Sequence, residues 1–167
     1  GNTKRFKLNS RDAAEDYTGP WNDTTPTSSV FTSTGSWLGG NGTNVIAYCW
    51  TEIPGYSKFG SYTGNGSSDG PYVHLGFRPA WLLIKADLSE SWYLYDNKRN
   101  TFNVVDKEIN PNRDQSEASF TTADFLSNGF KIRTSNSSFN YNNYTYLYMA
   151  FAEQPGTTPF ATFPNAR

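Results

Sequence analysis

The sequence predicts an all-β protein made of antiparallel β-sandwich units of jelly-roll type, one complete and one partial. Three observations lead there. Short strand-like runs are bounded by turn residues along most of the chain, Gly- and Asn-rich pairs stand between them, and the first third of the chain matches a later stretch.

Taken in order, the strand-like runs are Val45 to Trp50, Lys58 to Tyr62, Tyr72 to Leu75, Trp81 to Lys85, Trp92 to Tyr95, Phe130 to Arg133 and Tyr144 to Phe151. Each is rich in β-branched or aromatic residues. Between them, Gly39-Gly40-Asn41-Gly42, Gly64-Asn65-Gly66 and Ser127-Asn128-Gly129 are turn chemistry. Only Ser116 to Leu126 has room for a helical turn. Its Thr121-Thr122 pair and the Asn128-Gly129 beyond it argue against anything longer.

The repeat is read by setting Lys4-Arg5 on Lys98-Arg99, which brings Phe31 onto Phe125, Gly35 onto Gly129 and Leu38 onto Ile132 without a gap. After a longer loop, Asn41, Ile46, Trp50 and Glu52 fall on Asn142, Leu147, Phe151 and Glu153. Residues 1–53 are then the C-terminal part of a preceding unit and residues 54–167 a complete one, with extra residues around Arg133 to Asn140. On this reading the chain begins in mid-unit. A half-unit leaves an apolar face open, so residues 1–53 are expected to pack on the second unit or on another chain.

Composition narrows the function. With 14 basic and 15 acidic residues the net charge is −1, which gives no field to attract a polyanion, so nucleic acid is not an expected partner. Charged residues make up 17% of the chain, as do aromatic ones, and the rest of the surface is amide- and hydroxyl-rich. The single cysteine, Cys49, admits no internal disulfide or cysteine zinc site and reads as a small buried hydrophobe. Stability therefore comes from packing and neighbouring chains. No apolar run is long enough to insert in a membrane, and no signal peptide opens at Gly1.

No catalytic set emerges. The one histidine, His74, lies between Val73 and Leu75 and reads as structural. Asp69, Asp96, Asp106, Glu108, Asp124 and Glu153 could supply the carboxylate pair of a glycosidase, but any β-fold of this size scatters that many acids over its loops. No cofactor is implied. No run has EF-hand spacing, and no metal ligands are assigned, although loop aspartates suit a structural calcium ion. Sequons at Asn22, Asn41, Asn65, Asn136 and Asn143 follow from a composition rich in Asn, Ser and Thr.

The aromatic residues carry the binding expectation, because rings stack on sugar faces while amides bond hydroxyls. Alternation puts Leu147, Met149 and Phe151 on one strand face and Ile46, Tyr48 and Trp50 on the equivalent face, and both are read as core. Tyr144, Tyr146 and Tyr148 then cover a second sheet or a neighbouring subunit. The ligand-binding candidates are Phe139, Tyr141 and Tyr144, in or beside the extra loop among Asn140, Asn142 and Asn143.

The stretch Gly55 to Gly66, followed by Asp69-Gly70-Pro71 and by Gly76 to Trp81, resembles a β-rich repeat domain of marine bacteriophage structural proteins of tail-fibre type, often downstream of a laminin-G-like lectin module. Trp92 to Asp96, Asn103 to Asp106, Phe125 to Lys131 and Tyr148 to Glu153 match as well, and Asn165-Ala166-Arg167 is similar to a native terminus. The likeness covers nearly the whole chain. It implies a virion structural or adhesion protein at the virion surface or outside the cell, such as a tail fibre or receptor-binding appendage, and it brings no catalytic residue. Its partners would be copies of itself, with a trimer favoured, other virion proteins, or a host surface glycan or receptor. Two alternatives stand beside it: a purely architectural fibre-assembly module, and a secreted carbohydrate-binding or polysaccharide-degrading domain.

Overall fold

The computed structural model describes residues 3–17, 19–33, 42 and 44–153. Gly35, Leu38, Gly39, Gly40, Asn41 and the Asn165-Ala166-Arg167 ending lie outside the described residues. A small ribbon comes first, β1 (Lys4–Arg5) antiparallel to β2 (Glu15–Asp16). One four-stranded sheet then holds β3 (Ser57–Thr63), β5 (Trp81–Ala86), β6 (Trp92–Asp96) and β10 (Thr145–Phe151), in the order β3-β10-β5-β6. The other holds β4 (Tyr72–His74), β7 (Val105–Glu108), β8 (Ala118–Leu126) and β9 (Gly129–Ile132), in the order β4-β9-β8-β7. All pairings are antiparallel. The first of these eight strands pairs with the last and the second with the penultimate, so the chain folds back on itself as in a jelly roll, while β5–β6 and β7–β8 remain hairpins within one sheet.

The all-β sandwich is thus as the sequence predicts, but its inner and outer faces are exchanged on β10. Tyr146 stands between Tyr62 and Ala86, Tyr148 between Gly60 and Ile84, and Ala150 between Lys58 and Leu82. Tyr146, Tyr148 and Ala150 belong to the core, whereas Leu147, Met149 and Phe151 are half-buried on the outer face. Period-two alternation cannot separate two apolar faces. Packing decides it. Phe130 of the second sheet meets Tyr62 edge-on at 6.0 Å and Tyr148 at 5.6 Å, tying the two sheets together. A methyl group on Gly60 would lie 2.8 Å from the Tyr148 hydroxyl, so this glycine makes room for the ring.

Other local expectations change too. Residues 118–126 form β8, where Tyr95 and Thr122 share a buried hydroxyl contact of 2.9 Å; β-branched Thr121 and Thr122 suit a strand better than a helical turn. The run from Val45 to Trp50 forms no strand and pairs with none, and Ile46, Tyr48, Trp50 and Cys49 are exposed. Those residues are therefore neither core nor, for Cys49, a buried hydrophobe: with no strand beside it, the run has no second sheet to bury against.

Residues 3–17 lie across one end of the outer face of the first sheet. Trp92 Nε1 donates to Lys7 O at 3.0 Å, Ala14 N donates to Asp87 Oδ1 at 2.8 Å, and Phe6 packs edge-on against Trp92 at 6.0 Å. Beneath them Lys85 is wholly buried. Its ammonium donates to Ala86 O at 2.7 Å, Leu88 O at 2.8 Å and Arg11 O at 3.5 Å, which is how a lysine facing an apolar layer is tolerated.

Candidate functional site

The binding candidates lie on the connection from β9 to β10, whose centre is the short helix α1 (Ser137–Asn140). Asn136 caps it, its side chain accepting from Ser138 N at 2.8 Å. Phe139, on this turn, points inward. It is 2% exposed, and its ring lies 4.5 Å from that of Tyr93 and 6.2 Å from that of Tyr95. Its ring is therefore part of the core and does not form part of a contact surface, because the helical turn that follows Asn136 directs it under the loop. Tyr141 and Tyr144 are exposed and meet edge-on with centroids 5.0 Å apart. The structure thus brings two of the three candidates together at the surface, with Asn142 and Asn143 between them.

What holds this pair in place is a set of buried polar groups that strand periodicity does not single out. Tyr62 Oη donates to Phe139 O at 2.8 Å, and Tyr146 Oη donates to Ser137 O and accepts from Tyr141 N, both at 2.6 Å. Burial pushes the pKa of both hydroxyls up, so they remain protonated donors across the ordinary pH range. Asn140, fully buried, accepts from Asn65 N at 2.7 Å and places its amide nitrogen 2.6 Å from Ser67 O, 2.8 Å from Thr134 O and 3.0 Å from Asn65 Oδ1. Two loops are thereby joined through one side chain. At Gly64 a methyl group would stand 2.9 Å from Asn140 C, so the close approach of the β3–β4 loop needs glycine there. Asn143, at a φ of 65°, turns the chain back into β10. The sequence signal for this network was the density of Asn and Tyr in two separate loops, which does not say which amide is buried.

The acids take structural partners. Asp69 pairs with Lys131 at 2.7 Å, Asp96 with Arg99 at 2.6 Å, Asp124 with Arg133 at 3.4 Å, and Glu153 with Lys98. Asp106 accepts from Asn100 at 2.8 Å, and Glu108 from the Tyr95 hydroxyl at 2.9 Å. Burial raises the pKa of Glu108, partly offset by the Tyr95 bond and by Arg113. The Lys131 bond lowers that of Asp69. Among the described residues, no group of three His, Cys, Asp or Glu side chains could hold a metal ion. His74 bonds near Tyr72, its Nδ1 3.3 Å from the Tyr72 hydroxyl at the edge of the second sheet.

The fold and this loop define an all-β sandwich that presents an aromatic and amide surface from a buried polar framework. The chain belongs to a family described as a domain of unknown function (DUF7483), which matches residues 1–155. No curated protein and no solved structure matches.

Proposed function

We infer that this chain is a non-catalytic structural and adhesion module, of the kind found in a phage tail fibre or receptor-binding appendage at the virion surface, and that Tyr141 and Tyr144 contact a host surface glycan or receptor. The observation that carries this reading is the exposed Tyr141–Tyr144 pair, flanked by amides and backed by the Asn140 and Tyr146 hydrogen bonds. An edge-on pair offers one ring face for a sugar plane, while Asn142 and Asn143 can bond hydroxyls. Fixing the rings beforehand lowers the ordering cost of a weak contact, and several copies on one fibre would multiply it into avidity. The non-catalytic part is supported by the acids, which are engaged in ion pairs and core hydrogen bonds.

The test is a glycan screen with the whole chain displayed in many copies on a surface. Binding that is lost in Tyr141→Ala/Tyr144→Ala, with the melting temperature retained, supports the reading. Binding that survives the double substitution removes this loop from the contact.

The architectural alternative has its own observation. A row of exposed apolar side chains at 45–50 and a half-buried apolar outer sheet face are more than a monomer ordinarily leaves open.

A further inference from the structure

Just ahead of β3 the chain makes one hydrogen-bonded step of a β-hairpin and then abandons it. Ile53 and Ser57 exchange both backbone bonds, at 3.2 and 2.9 Å, around the turn Pro54-Gly55-Tyr56, where Gly55 has a φ of 74°. Continuing that register would pair Thr51 with Phe59, Cys49 with Ser61 and Ala47 with Thr63. None of these pairs forms. The amide of Phe59 is instead taken by the Glu52 side chain at 3.2 Å, and Thr51 O accepts from the Ser57 hydroxyl at 2.8 Å.

Two halves of one hairpin are therefore left open. The arm, residues 44–51, makes no backbone hydrogen bond of its own short of Thr51 among the described residues, and Val45, Ile46, Tyr48 and Trp50 are 59%, 80%, 74% and 59% exposed. The receiving edge is β3, the outermost strand of its sheet among the described residues. Its even-numbered residues face β10, as Gly64 N donating to Tyr144 O shows. Its odd-numbered residues, including Ser61 and Thr63, turn their amides outward, an unpaired row that commonly recruits another strand.

We propose that the arm of one chain pairs with the β3 edge of a second copy, exchanged reciprocally. Each arm then completes in the partner the hairpin it leaves unfinished in its own chain, which is the geometry of a strand swap about the turn at 53–57. In that register Trp50 lies across from Gly60, Tyr48 from Tyr62 and Ile46 from Gly64. Large side chains thus meet glycines or a ring, and Trp50 covers the Tyr148 edge that Gly60 leaves open. Between arm and edge the only charges are Glu52 and Lys58, of opposite sign. On the other face of the arm Thr51, Cys49 and Ala47 lie across from Phe59, Ser61 and Thr63, beside a depression of about 500 Å³ that Phe59, Leu83, Leu147 and Met149 line on the outer face of the same sheet. This inference is independent of the glycan reading.

The test uses the whole chain. Light scattering over a range of concentrations should give the mass of two or more copies, falling to one in Ser61→Pro, which deletes an outward amide that the fold itself does not use, and in Tyr48→Asp/Trp50→Asp. In Ser61→Cys, the new thiol faces Cys49 of the partner in the proposed register. Oxidised glutathione should then take two electrons and two protons from the thiol pair and leave two chains joined by a disulfide on a non-reducing gel; Thr63→Cys, which faces Ala47, should not link. A single-chain mass at every concentration overturns the proposal. So does an oligomer indifferent to Ser61→Pro, or a disulfide formed within one chain, which would mean that the arm closes on its own edge.

Discussion

Asn140 permits a prediction whose sign depends on the hydrogen-bond pattern and not on size. Its amide nitrogen faces three oxygens, of Ser67, Thr134 and Asn65, while its Oδ1 takes the Asn65 amide. Asn140→Ala removes one accepted bond and two fully used donors. At about 1 kcal/mol net per bond, the loss is about 3 kcal/mol. For a chain of this length that lowers the melting temperature by about 6 to 12 °C. Asn140→Asp has nearly the same volume but puts a carboxylate oxygen among three acceptors, so at neutral pH it should cost more than the alanine.

Acid separates the two variants. A carboxyl facing acceptors has a folded pKa raised above its unfolded value, since only its protonated form can donate. The stability of the aspartate variant is therefore greatest below the unfolded aspartate pKa, about 4, and is lost as pH rises through the folded one. Urea midpoints at pH 3.5 and pH 7, set against the wild type, read this directly. An Asn140→Asp chain as stable as the wild type at pH 7, or a deficit that does not shrink on acidification, would refute the donor assignment at this site.

Further outcomes follow from other contacts. Tyr146→Phe leaves the stacked Tyr62–Tyr146 pair at 5.1 Å but removes two loop bonds; it should cost about 2 kcal/mol by urea titration and weaken any glycan binding along with the Tyr141 pair. Leu147→Thr, on the outer face, should cost less than about 1.5 kcal/mol, whereas Ile84→Ala, in the core, should cost about 3 kcal/mol; equal costs would mean that β10 is faced the other way. Burial raises the Glu108 pKa, so its protonated form is favoured in the folded state and wild-type stability falls as pH climbs from about 4.5 through the folded value. Glu108→Gln keeps an acceptor for Tyr95, and its melting temperature relative to the wild type should rise over that window. Removing residues 1–17 uncovers Lys85 and Trp92, and calorimetry should show a loss of at least about 2 kcal/mol.

The sandwich was legible because the strands from β3 to β6, and β9 and β10, carry dense β-branched and aromatic runs with Gly-Asn turns between them. β7 and β8 were harder to read. Val105–Glu108 holds one apolar residue, and Ala118–Leu126 begins with four exposed positions of mixed polarity, so their strand character comes from pairing with each other and with β9. The facing of β10 was not legible, since Tyr-Leu-Tyr-Met-Ala-Phe is apolar on both sides. Tyr146 goes inward because its hydroxyl reaches the Ser137 and Tyr141 backbone, and Tyr148 because its ring packs on Phe130 over Gly60, long-range partners that no local pattern encodes. Phe139 was misplaced for a related reason: a helical turn four residues long gives no periodicity to read, and it reverses the direction of one ring relative to Tyr141.

The same reasoning separates the two exposed aromatic groups, which composition alone would treat alike. Around Tyr141 and Tyr144 the backbone is paired, Tyr141 N with the Tyr146 hydroxyl, Asn143 N with Gly64 O, Tyr144 N with Tyr141 O and Tyr144 O with Gly64 N, so the rings, with the Asn142 and Asn143 side chains beside them, are what offers a contact. At 44–50 the backbone itself has no partner among the described residues, and every side chain from Val45 to Trp50 is apolar and exposed. A surface with unpaired amides on one edge and apolar groups on its faces is satisfied by another strand and not by a sugar, because only a strand supplies donors and acceptors every second residue along with the side chains. The exposed apolar run at 45–50 is therefore evidence about assembly, whereas the loop at 141–144 is evidence about recognition. Substitutions in one should leave the readout of the other unchanged.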